Sequence, residues 1–489
     1  MTPLLIRNAD YVFTGDDSNR LLPNTDILVE GPRISAIGKN LKADHAQELS
    51  GEGKLVMPGF VNLHHHMFQT LQRAIPLVQD APLFDWLIHL YEIWRELTPE
   101  AVYVSSLVGL GELLLTGCTT TTDHFYVFPR GAGSALLDEQ IKAARLLGIR
   151  FHPTRGSMSR GQSNGGLPPD DVVQTEEEIL DDSRRLVETY HDPGPFSMLR
   201  IALAPCSPFS VSEKLLKETI ALARRHGLRC HTHLAETLDE ERYCLQTYGK
   251  RPLAFMKDMG WLGEDVWFAH AIYLNDEEIR IMAQTGTGAA HCPSSNLRLG
   301  SGIAPVPAML ASGVPVGIGV DGSASNDSSD MLSELRMAML VHRIRASVDS
   351  MPAGEVVKMA TRGGARILGY PEIGSLEVGK AADLIMIGMQ KIGYAGGLHD
   401  PVAALLFCGD SHIVDTSIVN GRIVVEDGKL LSVNEKDLVA HANRISGEML
   451  EKASRKTGLN YLSRGSKANS KLQGLGENVS VTPRLCGGT

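Results

Sequence analysis

The sequence has no excess of basic charge: 47 Lys and Arg stand against 57 Asp and Glu, a formal net charge of −10. Nucleic-acid binders draw most of their affinity from phosphates meeting a basic surface. Neither such a balance nor a block of like charges is present, which excludes that class of partner. Long apolar runs are missing too. The longest, near Val102–Leu115, contains Ser105, Ser106 and Glu112 and is too polar for a membrane span. The first residues meet Arg7 and Asp10 before a signal-peptide apolar region could form. Cysteines number seven, at 118, 206, 230, 244, 292, 408 and 486, with no C-x-x-C. An odd, unpatterned set reads as reduced thiols of a cytoplasmic protein rather than a disulfide framework. No repeat with a period of about 20–50 residues suggests a solenoid. What remains, 43% hydrophobic and 21% charged, is ordinary globular composition.

Within that composition a rhythm is visible. Short apolar runs rich in β-branched residues or bounded by Gly and Pro alternate with amphipathic stretches. The runs are Val56–Leu63, Thr119–His124, Ile149–Thr154, Leu199–Pro205, Leu228–His233, Val266–Ala271, Gly288–His291 and Val314–Val320. Helical patterns such as Ser212–His226 and Asn275–Gln284 lie between them. Eight strand–helix alternations predict an α/β fold built on a (β/α)8 barrel, placed at 58–367. Both flanks look different. Leu4–Ala9, Asp26–Val29 and Arg33–Ile37 before the barrel, and Ala382–Ile387, Ile413–Val419 and Arg422–Glu426 after it, read as strands. Asn420-Gly421 and Asp427-Gly428 are hairpin signals. Segments 1–57 and 368–435 are therefore expected to pair into a small composite β-sandwich. A C-terminal helix is expected over 436–462 and a disordered tail over 463–489.

The chemistry concentrates at the expected strand ends. His64-His65-His66 closes the first run, and alternation along a strand puts residues 64 and 66 on one side and 65 on the other. His231-Thr232-His233 ends the fifth run and leads into Glu236; His270 ends the sixth and Asp321 the eighth. Barrel enzymes keep their active sites at strand C-termini. Three imidazoles and a carboxylate suit one divalent ion, Zn²⁺ first and Fe²⁺ second, with room for a water. His65 and His231 are expected to face away from it, and His124 and His291 are weaker candidates. Gly161-Gln162-Ser163-Asn164-Gly165 fits G-x-S-x-G but sits in a polar Gly/Pro loop. Gly317–Gly322 fits G-x-G-x-x-G but runs into small polar residues rather than a helix.

Together these residues resemble a known family. Pro58–His66, His233-Leu234-Ala235-Glu236, Ala290–Asn296 and Gly319-Val320-Asp321-Gly322 are similar, in order, to the metal motifs of the amidohydrolase superfamily. Within it they resemble the chlorohydrolase and purine/cytosine deaminase branch. The resemblance runs from about residue 4 to 455. It implies His64, His66, His233 and Asp321 as metal ligands, Glu236 as general acid/base, and His270 as a non-ligand histidine that orients the water. Asp321 can also accept a proton. Binuclear members need a Lys or Glu at the fourth strand end; Ala204-Pro205-Cys206-Ser207-Pro208 offers neither, which implies one metal.

The loops His64–Gln69, Gly165–Asp170, Ala204–Ser212 and Asp321–Asp327 most closely resemble members that deaminate 8-oxoguanine. The expected partner is thus a purine-like small molecule, with guanine, a pterin or a hydroxy-s-triazine as alternatives. Gln69 and Arg155 are the candidate substrate-binding residues. Homo-oligomerisation is compatible with the sequence and not specified by it.

Overall fold

The computed structural model describes residues 2–133, 135–408 and 413–464. Most of the expected disordered tail, and Cys486, lie outside the described residues. Eight parallel strands close into a barrel: Phe60–Asn62, Cys118–Phe125, Arg150–Ser157, Ala202–Pro205, Cys230–Leu234, Val266–His270, Gly288–His291 and Val316–Ile318. Pairing of Ile318 with Asn62 completes the ring. Each expected run yields one barrel strand. The first also contributes Lys54–Pro58 to a different sheet. The change of sheet falls at Gly59, where a Cβ would lie 2.1 Å from Thr119 Oγ1, so the second barrel strand can approach only a glycine.

Local signals account for the connecting helices. Glu213–Arg225 starts after Ser212, whose side chain accepts from Leu215 N–H, and carries Arg224 and Arg225 in its last turn. Leu136–Leu147 stops at Gly148, which takes a left-handed φ of 77°. After the barrel, Ala353–Lys358 and Gly364–Leu368 are α-helical and are joined by a π turn at Met359–Gly363. No helix among the described residues is long and apolar enough to cross a membrane. The six described cysteines are free, five of them buried and Cys408 exposed.

The chain ends build one nine-stranded sheet. Lys54–Pro58 sits within it, parallel to Leu4–Phe13 on one side and antiparallel to Leu384–Gly388 on the other. The far strand, Arg33–Gly38, returns to the sheet's other half: Arg33 bridges Ala381, and Ile34 N–H donates to Lys380 C=O at 2.9 Å. Ile6, Val29, Ile34, Val56, Met386 and Ile418 consequently share one core. The sandwich is a single sheet wrapped on itself. At Asn420-Gly421 both residues have positive φ, 50° and 77°, as a two-residue hairpin turn requires.

The sheet is tied to the barrel floor by a buried ion pair. Arg150 Nε and Nη2 donate to the two Asp383 oxygens at 2.9 and 3.0 Å. At the other end of the barrel, helix Glu435–Thr457 covers the turn that follows His66. Ser446 Oγ donates to Leu71 C=O at 2.5 Å, and Trp94 Nε1 donates to Gln72 Oε1 at 3.2 Å beneath it.

Candidate metal centre and active site

His64, His66, His233, His270 and Asp321 converge at the C-terminal mouth of the barrel, all buried except for the partly buried His233. Hydrogen bonds assign the tautomers. His66 Nδ1 lies 2.7 Å from His124 C=O, and His233 Nδ1 lies 2.6 Å from Cys206 C=O. A carbonyl only accepts, so both Nδ1 atoms carry the proton and both Nε2 atoms keep a lone pair. His64 Nδ1 meets His231 Nε2 at 2.7 Å, and His231 Nδ1 meets Trp267 C=O at 2.9 Å. His231 must therefore donate to Trp267 and accept from His64. That leaves the His64 Nε2 lone pair, buried and without a hydrogen-bond partner, facing the same point.

The separations fit a metal. His66 Nε2 is 3.2 Å from His233 Nε2, and Asp321 Oδ1 is 3.3 Å from both His64 Nε2 and His66 Nε2. Ligands about 2.0–2.1 Å from a tetrahedral ion lie about 3.3 Å from one another. Two lone pairs at 3.2 Å with no proton between them are a bad contact unless a cation lies between them. Burial lowers the pKa of His64 well below normal and that of His233 to about 3, so both stay neutral as ligands must be. Asp321 Oδ1 accepts from Gly322 N–H at 2.7 Å, a bond that favours the ionised carboxylate a ligand must present.

His270 stands one step back. Its Nδ1 donates to Asn296 Oδ1 at 2.8 Å. Its Nε2 lies 3.7 Å from Glu236 Oε2 and 3.9 Å from Asp321 Oδ2, the oxygen turned away from the ligand cluster. Burial disfavours its charge, yet Glu236 and Asp321 outweigh that and raise its pKa. Burial in turn raises Glu236, which His270 only partly offsets. A carboxylic acid shifted up toward neutrality beside such a cluster is what general acid/base work needs. Ala235, His270, Ala271 and Asp321 all have left-handed φ, at 53°, 69°, 49° and 63°. These are the points where strands five, six and eight stop and turn side chains into the mouth.

Two expectations are corrected here. His231 does not face away: with a period of two it shares the interior face with His233, and it lies beside His64, its ring stacked 4.4 Å from Trp267. Arg155 is not brought to the cluster. It pairs with Phe125, whose neighbour His124 points inward, so Arg155 points outward into the helical layer. There Nε donates to Asp182 Oδ2 at 2.9 Å, Nη2 to Gln174 Oε1 at 2.8 Å and Nη1 to Gly156 C=O.

Gln69 lies against the ligand loop. Its Oε1 accepts from Ala324 N–H at 3.4 Å, and it packs so close to Gly322 that a Cβ there would lie 2.0 Å away. His65 faces outward to Ser329 Oγ at 2.8 Å, as alternation requires. Sequence reasoning passed over Tyr126, whose ring sits 5.1 Å from His66, and took Asn296 only as the end of a motif, with no role of its own. The signal for Tyr126 was its register, two residues after inward-facing His124.

Fold and site define a class. A model of the amidohydrolase family matches residues 55–424, and the chain belongs to that family, as one of its deaminases. It is 44% identical to 8-oxoguanine deaminase of Pseudomonas aeruginosa over 443 residues, 90% of this chain and 97% of that one. It is 39% identical to isoxanthopterin deaminase from an unknown prokaryotic organism, over 91% of this chain and 97% of the relative. Among solved structures it resembles atrazine chlorohydrolase of Arthrobacter aurescens in complex with zinc. That match has a TM-score of 0.87 at 35% identity and covers 91% of this chain and 100% of the other.

Proposed function

We propose that the chain hydrolyses 8-oxoguanine to urate and ammonia with one divalent ion, Zn²⁺ before Fe²⁺, held by His64, His66, His233 and Asp321. The observation that favours this substrate is the 44% identity, across nearly the whole of both chains, to a deaminase of that purine. The ion, when bound, supplies a water-derived nucleophile at neutral pH.

The chain's own residues do the rest. Glu236 takes the proton of the attacking water and passes it to the ring nitrogen beside the amino-bearing carbon, which makes that carbon electrophilic. It then helps protonate the departing amine. His270, fixed by Asn296, orients the water and stabilises the developing charge. Asp321 Oδ2, turned toward His270, is a second proton acceptor. Tyr126 and Phe68, with ring centroids 5.1 and 6.0 Å from that of His66, give a flat heterocycle an aromatic wall. Gln69 reads one polar edge of the substrate.

The 8-oxo group leaves a hydrogen on N7, so that edge presents a donor and a carbonyl where guanine has an acceptor and a C–H. A site paired to it loses about 1–3 kcal/mol for each partner guanine leaves unmet. Ammonia release should therefore give 8-oxoguanine a kcat/KM at least about tenfold above guanine. A second reading, pterin deamination, is favoured by the 39% relative. Equal turnover of guanine, or activity confined to pterins or hydroxy-s-triazines, refutes the first reading.

A further inference from the structure

Three helices open on a small polar residue followed three positions later by Glu: Thr175 with Glu178, Asn275 with Glu278, and Thr237 with Glu240. The first two pairs close reciprocal capping boxes, with the Glu side chain accepting from the N-cap N–H. The third does not. Thr237 Oγ1 still accepts from Glu240 N–H at 3.3 Å, but the Glu240 carboxylate reaches past Thr237. Its Oε1 accepts from Ala235 N–H at 2.9 Å and its Oε2 from Glu236 N–H at 3.0 Å. Glu178 caps its helix from an exposed position and Glu278, 6% exposed, is paired with Arg251, whereas Glu240 is only 1% exposed and spends both oxygens on backbone N–H groups. Burial pushes its pKa up to about 7 against the pull of the two N–H groups. Capping alone does not require a carboxylate to be taken out of water.

The peptide units it holds are the ones that matter. Ala235 is left-handed, and its C=O accepts from Ile272 and Tyr273 N–H at 3.0 and 2.9 Å. Leu234 C=O accepts from Ala271 N–H at 3.0 Å. The turn bearing Glu236 and the turn bearing His270 are thus one hydrogen-bonded unit, anchored on the Glu236 side by Glu240. We infer that Glu240 is a positioning residue whose carboxylate fixes the Ala235–Glu236 peptides and so the direction in which Glu236 presents its own carboxylate. This rests on Glu236 being the proton carrier.

The test compares E240Q, E240D and E236Q in the metal-loaded enzyme. Ammonia release is followed from 8-oxoguanine, or from whichever of guanine, a pterin and a hydroxy-s-triazine is turned over fastest. E240Q keeps the shape and one acceptor oxygen but turns an N–H toward a backbone N–H. It should lose about 10–100-fold in kcat, the scale of a misplaced catalytic group. Its KM should stay within about threefold and its metal content and melting temperature close to wild type. E240D, which keeps two acceptor oxygens on a chain one methylene shorter, should recover part of the loss. A kcat for E240Q within twofold of wild type, or a loss wholly explained by fewer folded or metal-loaded molecules, overturns the inference. An E236Q variant with near-normal activity overturns the proton-carrier reading instead, whereas an inactive E236Q beside a normal E240Q rejects Glu240 alone.

Discussion

Replacing His231 by Phe removes a hydrogen-bond partner while keeping the ring that stacks on Trp267. His64 Nδ1–H then loses its acceptor at 2.7 Å. In the metal-free variant His64 has an escape: it can shift the proton to Nε2 and donate to Asp321 Oδ1, 3.3 Å away. Metal binding has to reverse that shift, because the ion takes the Nε2 lone pair, and the proton returns to a buried Nδ1 with no partner. An unmet buried N–H costs about 1–3 kcal/mol. At about 1.4 kcal/mol per decade the dissociation constant for Zn²⁺ should rise about 5- to 150-fold, in line with the usual worth of an outer partner to a metal-bound histidine. Competition against a chromogenic chelator measures this directly. His65→Phe is the control, since His65 faces Ser329 outside the barrel, and it should change affinity less than about threefold. Wild-type zinc affinity in His231→Phe would refute the tautomer chain and with it the assignment of His64 Nε2 as a ligand.

Glu236→Gln should retain about one metal equivalent by elemental analysis and lose turnover by about 10²–10⁴-fold; two tightly bound ions per active chain would contradict the single-metal centre. Arg155→Met should act on stability rather than specificity, since it removes one of the two arginines on buried Asp182 and leaves Arg185 in place: a loss of about 1–3 kcal/mol in denaturant melts is expected, with the 8-oxoguanine to guanine ratio unchanged in the folded fraction. A shifted ratio with unchanged stability would return Arg155 to the substrate. Burial pushes Glu334 up to about 8, so between pH 4.5 and 8 the folded chain holds a proton that the unfolded chain has released. Stability then falls as pH rises through that window, at up to about 1.4 kcal/mol per pH unit. Glu334→Gln removes the slope and should gain on wild type by up to roughly 4 kcal/mol between pH 5 and pH 8; parallel pH profiles of the two proteins would rule it out.

The barrel and the cluster of side chains at its mouth were legible because each is a repeated local signal. Gly288–His291 and Arg422–Glu426 fall where alternation and turn residues put them. His64, His66, His233 and Asp321 share strand-end positions that chance rarely supplies together. The long-range pairings were not legible. Arg155 looked available because nothing in its own segment shows that Asp182, on the next helix, meets it. Glu240 read as a helix cap because Thr237-x-x-Glu240 is the capping pattern; only the left-handed Ala235 turns two backbone N–H groups toward it. The change of sheet at Gly59 was hidden inside one apolar run, since it depends on how closely Thr119 approaches.

The place of Lys54–Pro58, between strands from opposite ends of the chain, has a consequence in time. Leu55 is paired with Ile387, 387 − 55 = 332 residues later. At about 5–20 residues per second the ribosome needs roughly 20–70 s to deliver the second partner after the first. Throughout that interval Leu55, Val56 and Met57, all buried in the finished sheet, present one open, apolar edge. Synthesis is therefore the period in which this protein is most exposed to misassembly. Slow translation between residues 60 and 384 lengthens that period, and a co-translational holdase that shields the edge protects the yield of folded enzyme.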